Sequence, residues 1–122
     1  MKDESKDLRE RTKGFAILVV RFYSSLPKSI EAQVMGKQVL RSGTSVGANY
    51  REACRARSKA EFVAKVGDCL KELDESSYWF ELLEETGTVP SAILAPLQKE
   101  CYELLAIFTT IAKKCKTAET KI

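Results

Sequence analysis

Apolar residues recur along most of the chain at alternating intervals of four and three positions. This spacing places them on one face of an α-helix, and no long segment shows the alternation of apolar and polar residues that is typical of a β-strand. The pattern predicts four helices, at about residues 6–26, 29–57, 59–86 and 92–117.

The predicted helices begin and end at residues that start or stop helices. Pro27 ends the first helix, because the residue before a proline disfavours helical backbone. Ser58 and Glu61 form a capping-box pattern at the start of the third helix, and Gly87 ends it. The connections are short, and short connections make neighbouring helices antiparallel. The predicted fold is therefore all-α: an antiparallel up-down-up-down four-helix bundle in which residues 1–122 form a single domain.

The second predicted helix has an unusual apolar face. Ser42 and Asn49 occupy positions where the spacing calls for apolar residues. Gly43 and Gly47 are four positions apart, so they lie on one side of the helix and would allow another backbone to approach closely. Two interpretations stay open, a tight helix crossing, which we favour, and a broken helix with a functional loop.

The composition, with 44% hydrophobic and 30% charged residues, is that of a folded protein. The longest apolar run, residues 15–20, is far shorter than the roughly 20 residues that cross a bilayer. The first residues lack the pattern of a signal peptide, so we expect a cytoplasmic protein without membrane contact. The four cysteines are widely separated, which favours neither a disulfide framework nor a zinc site.

The absence of histidine excludes several kinds of catalytic site. Histidine-containing zinc sites and Ser-His-Asp or Cys-His nucleophile systems all need an imidazole. Glu72 and Glu75 share one helix side and could support acid–base work or bind a divalent metal, but we favour a structural role for them. We therefore expect no enzyme, no catalytic residue, no metal and no cofactor.

The formal net charge of +3 hides a strong asymmetry. Residues 1–60 contain 13 Lys and Arg against 6 Asp and Glu, whereas residues 61–105 contain 3 against 10. Six basic residues follow one face of the second helix or lie just beyond it: Lys37, Arg41, Arg51, Arg55, Arg57 and Lys59. This basic stripe could neutralise several phosphates of a nucleic acid. A solvated outer face, or a contact with the acidic third helix of another subunit, explains the stripe equally well.

Polar residues also recur with helical spacing on the second and third helices. Buried polar groups need partners, so these residues predict a structural polar cluster between the two helices. The predicted members are Ser42, Ser45, Asn49, Glu52, Glu72 and Glu75. Contact of Asn49 and Glu52 with Lys65 would then fix the register of the two helices.

The stretch from Ser42 to Leu83 carries the most specific residue pattern. Its elements are Ser42-Gly43-Thr44-Ser45-Val46-Gly47-Ala48-Asn49, Glu52-Ala53, Lys59, Glu61-Phe62, Lys71-Glu72, Glu75-Ser76 and Tyr78-Trp79. The stretch resembles the signature region of the 23S rRNA intervening-sequence proteins. The resemblance extends more weakly from about Leu8 to Lys116.

The resemblance implies a small bacterial, cytoplasmic four-helix bundle that assembles as a homopentamer with a basic surface. No catalytic residues are attributed to the family, and related proteins are accessory factors of the reverse transcriptases of diversity-generating retroelements. We therefore expect a non-enzymatic oligomer that binds structured RNA or an RNA–DNA hybrid through backbone charge. The alternative is a protein-interaction scaffold, such as an accessory subunit of a reverse transcriptase, without direct contact to nucleic acid.

Overall fold

A computed structural model of the chain describes residues 4–120, with the side-chain surroundings of residues 6–116. Its helices are α1 (Glu4–Ser24), α2 (Ile30–Cys54), α3 (Lys59–Glu85) and α4 (Ser91–Thr120). Within this part of the chain there is no strand, and the predicted all-α four-helix bundle is confirmed. None of the helices in this range is long and apolar enough to cross a lipid bilayer.

Contacts between helices show how the chain runs. Ser42 of α2 contacts Ser76 of α3, and Glu52, further along α2, contacts Lys65, further back on α3. Residue numbers therefore rise along one helix as they fall along the other, so α2 and α3 are antiparallel. Each helix packs against the next, and α1 also contacts α4, which closes the bundle.

Serine caps set the starts of α2 and α3. Ser29 accepts a hydrogen bond from the Ala32 amide at 3.3 Å, and Ser58 accepts one from the Glu61 amide at 3.1 Å. Because Ser58 must be extended to cap α3, α2 ends at Cys54, three residues before the predicted end at residue 57.

The core consists of the apolar faces that the periodicity indicates, with one correction on α2. Phe22 and Phe80 meet edge to face inside the bundle, with ring centroids 6.1 Å apart. Near the end of α2, Tyr50 takes the core position predicted for Asn49: Tyr50 is only 4% exposed and packs edge-on against Phe108 at 5.4 Å. An aromatic ring buries much more apolar area than an amide, so the helix turns its tyrosine inward and leaves Asn49 half-buried.

Glycines bring α1 and α2 close together. A Cβ atom on Gly43 would lie 2.7 Å from a methyl carbon of Val19, and one on Gly47 would lie 3.3 Å from the Thr12 hydroxyl. The helix continues through both positions without a break. The tight crossing is confirmed, and the broken helix with a functional loop is wrong.

Candidate nucleic-acid interface

The predicted basic stripe lies on the surface of the bundle. Val39, Val46 and Ala53 of α2 face the interior of the bundle. The basic stripe lies on the opposite, outer face of the helix. All its members are exposed: Lys37, Arg41, Arg51, Arg55, Arg57 and Lys59. The stripe is therefore accessible in the isolated chain along the outer face of α2 and across the link to α3.

One member of the stripe, Arg41, is held by carboxylates of α3. Its guanidinium donates a hydrogen bond to Glu75, and its second terminal nitrogen lies 3.6 Å from an oxygen of Glu72. Glu72 and Glu75 therefore share Arg41 as an ion-pair partner. These contacts connect α2 to α3. The two carboxylates offset the positive charge of Arg41, so this residue attracts a phosphate less strongly than an unpaired arginine would.

The remaining polar residues do not join this ion-pair group. Ser42 and Ser76 are fully buried with their hydroxyl oxygens 2.7 Å apart. Each hydroxyl also has a backbone acceptor in its own helix, the Glu72 carbonyl at 2.9 Å for Ser76 and the Val39 carbonyl at 3.4 Å for Ser42, and either serine can donate to the other. Ser45 instead donates to the carbonyl of Arg41 in its own helix at 2.7 Å.

Glu52 forms no side-chain hydrogen bond with any of these residues and accepts one from Lys65 of α3 at 2.9 Å. This bond raises the pKa of Lys65. The predicted single polar cluster is therefore a set of separate contacts. The reason is distance along the helix: ten residues separate Ser42 from Glu52, which is about 15 Å at 1.5 Å per residue.

A basic groove between α1 and α2 was not foreseen from the sequence. One cavity of about 310 Å³ is lined by Arg9 and Lys13 of α1 and by Thr44, Gly47 and Arg51 of α2, together with two alanines. A second cavity of about 240 Å³ is lined by Arg9, Arg51, Cys54 and Arg55. Arg9 and Arg51 border both cavities, so the two are adjacent, and we call them together the α1/α2 groove.

Another basic residue of α1 has a different environment. Arg11 points to α4, where it donates two hydrogen bonds to Glu100, at 2.9 and 2.7 Å, and one to Glu103 at 2.8 Å. The bond to Glu100 is the main cause of the raised pKa of Arg11. By contrast, Arg9 and Lys13 form no ion pair with any residue in the described part of the chain.

Comparison with known proteins identifies the relatives of this bundle. The family model of the 23S rRNA-intervening sequence protein matches residues 4–110. The chain belongs to this family. One similar solved structure is the crystal structure of a protein of unknown function from the S23 ribosomal protein family, from Bacteroides thetaiotaomicron VPI-5482. Its sequence is 37% identical to this chain, and the two structures superpose with a TM-score of 0.81. The match covers 86% of this chain and 97% of that one, whereas no curated protein matches.

The cysteines of this family member have different accessibilities. Cys69 and Cys101 are fully buried, and burial raises the pKa of each thiol to about 12. Cys54 is half-buried and borders the α1/α2 groove. Among the described residues, no group of three or more Cys, Asp or Glu side chains is placed to hold a metal ion.

Proposed function

We propose that this chain is a non-enzymatic, oligomeric protein that binds nucleic acid, either structured RNA or an RNA–DNA hybrid. The observation that supports it best is the pair of exposed arginines at the end of α2, Arg51 and Arg55. In the described part of the chain neither is paired with a carboxylate. Exposed cations without a protein counter-charge attract a polyanion, and each phosphate that they neutralise releases bound counterions from the nucleic acid.

The contact is made to the sugar–phosphate backbone rather than to bases. Tyr50 is the aromatic residue next to Arg51, but its ring is buried in the core against Phe108 and is not available for stacking. A surface that offers guanidinium and ammonium groups without stacking rings reads charge and shape, with little base sequence.

Assembly into a homo-oligomer is part of the proposal. Large apolar side chains remain exposed on all four helices: Ile17, Leu18, Val20, Ile30, Val34, Tyr78, Ile93 and Tyr102. Ile30 is 79% exposed, which is unfavourable for a side chain of this size in water. Contact between subunits would cover such positions, and the family resemblance suggests five subunits. Five basic surfaces in one particle would strengthen binding to an RNA that spans them.

The proposal is tested by binding of the wild-type protein to a structured RNA and to an RNA–DNA hybrid at increasing salt. About five phosphate contacts predict a loss of affinity of roughly 10²- to 10³-fold between 50 and 200 mM salt. Fluorescence anisotropy measures the affinity, and light scattering of the same sample gives the mass relative to the 13.7 kDa subunit. Absence of binding at 50 mM salt would contradict nucleic-acid binding, and a monomeric mass would contradict assembly.

The exposed apolar side chains also support a second candidate function. A scaffold or accessory subunit, for example of a reverse transcriptase, would use them to contact a different protein. That function requires no affinity for RNA, so the binding measurement separates the two: an oligomer without affinity at low salt favours the scaffold.

A further inference from the structure

We propose that the α1/α2 groove holds successive phosphates of a single nucleic-acid strand, with Arg9 and Lys13 of α1 acting together with Arg51 and Arg55 of α2. This inference rests on the proposed function. It moves the contact from the outer stripe of one helix to a groove between two helices. It also adds two binding residues on α1 and specifies an unpaired strand as the ligand.

The cations of the α1/α2 groove differ from the other inter-helix cations in their charge balance. Arg11 and Arg41 each contact two glutamates of another helix. Among the residues whose side chains the structure describes, no carboxylate lines either cavity of the α1/α2 groove. Like charges that border one cavity repel each other, and the described side chains supply no counter-charge there. A bound polyanion would remove this repulsion.

The helix dipole does not explain all four cations. Arg51 lies in the last turn of α2, where a positive side chain is stabilised by the free carbonyl groups of the helix end. The dipole effect is confined to the terminal turn. Arg9 and Lys13 lie more than ten residues before the end of α1 at Ser24, so a different cause must account for them.

Small residues line the α1/α2 groove together with its cations. A Cβ atom on Gly47 would lie 3.3 Å from the Thr12 hydroxyl, so the two helices are close here, and the lining residues Ala16 and Ala48 are also small. A small-residue floor lets a phosphate approach between the basic side chains. The two cavities, of about 310 and 240 Å³, have the size of small-molecule sites, which suits the backbone of one strand rather than a duplex.

The spacing of the cations also suits an extended strand. Arg9 and Lys13 are four residues apart on α1, which corresponds to about 6 Å along its axis. Arg51 lies in the last turn of α2, and Arg55, four residues later, is the residue that caps the helix end. The groove therefore presents two rows of positive charge, one on each side. Each row can contact more than one phosphate of a strand that follows the groove.

The test compares the double variant Arg9→Glu/Lys13→Glu with a control, Lys71→Glu/Lys99→Glu, which changes the net charge equally at exposed positions on α3 and α4. For a 20-nucleotide single-stranded RNA at 50 mM salt, we expect the groove variant to bind roughly 10- to 100-fold more weakly and the control to change less than about threefold. Equal losses in both variants would overturn the inference. The inference would also be overturned if Arg9→Glu/Lys13→Glu weakened binding of a duplex but bound single-stranded RNA as tightly as the wild-type protein does.

Protection of Cys54 provides a second readout that does not depend on affinity alone. In a Cys115→Ser background, Cys54 is the accessible thiol of the described residues, because Cys69 and Cys101 are buried and protonated. Saturating single-stranded RNA should slow alkylation of Cys54 by neutral N-ethylmaleimide several-fold. An unchanged rate with RNA bound would overturn the groove assignment.

The two proposals fail in different ways. If the wild-type protein binds no nucleic acid at 50 mM salt, the proposed function fails. If it binds, but Arg9→Glu/Lys13→Glu behaves as the control and Cys54 stays reactive, only the groove is wrong, and the outer stripe remains as the binding surface.

Discussion

Replacing Phe80 with alanine is expected to lower the free energy of unfolding by about 3–5 kcal/mol. Phe80 is 1% exposed, lies in the core five residues before the end of α3 and meets Phe22 edge to face. Removing the ring loses its transfer free energy, leaves a cavity and breaks the aromatic contact. A chain of this length has a total stability of roughly 6–18 kcal/mol, so the loss is a large fraction of it. Urea unfolding followed by helical circular dichroism, at fixed protein concentration, measures the change.

Phe62 provides the matched control for this prediction. It is a phenylalanine of the same helix, but it is half-buried near the end of the bundle. We expect Phe62→Ala to lose clearly less than Phe80→Ala. If the alanine variant does not fold, Phe80→Leu, which keeps most of the volume, should lose about 1 kcal/mol and can be measured instead. Equal losses at positions 62 and 80 would contradict the assignment of Phe80, and not Phe62, to the fully buried core.

Reversing two charges at the end of α2, in the variant Arg51→Glu/Arg55→Glu, is expected to weaken binding of structured RNA by at least about 100-fold at 50 mM salt. Two phosphate contacts are lost, and the new carboxylates repel the phosphates that remain. The slope of log affinity against log salt should also become shallower by about 2. Anisotropy titrations at several salt concentrations give both quantities.

The fold should be unaffected by this reversal. Arg51 and Arg55 are exposed and form no ion pair with the described residues, and such surface changes usually alter stability by less than about 0.5 kcal/mol. The control Lys71→Glu/Lys99→Glu has the same net charge and should retain binding. A comparable loss in the control would mean that total charge, rather than the end of α2, determines affinity.

Much of the fold could be predicted because helices are encoded locally. The apolar spacing of α1 identifies Leu8, Phe15 and Val19 as core residues, and all three are buried. The cap at Ser58 acts within one turn of helix, so a few residues suffice to recognise it. The exchange of Asn49 for Tyr50 in the core was missed, because it depends on Phe108, which is more than fifty residues away.

The candidate site was predicted only in part, because its charges belong to different helices. The exposure of Arg51 and Arg55 follows from the face of α2 on which they lie. The neutralisation of Arg41 does not, since Glu72 and Glu75 reach it only through the packing of α3 against α2. The combination of a small-residue crossing at Gly47 with the basic pair Arg9 and Lys13 was the available signal for the groove.

The sequence by itself determined four amphipathic helices, their caps and a basic outer face on α2, because periodicity and capping act over a few neighbouring residues. The tertiary structure alone decided which cations keep their charge available. Arg9 and Arg11 are two positions apart and therefore point about 200° apart around α1. Arg11 meets Glu100 and Glu103 of α4, whereas Arg9 borders a groove that no carboxylate of the described side chains lines. The partner of each side chain depends on how the helices pack, which residue spacing does not contain.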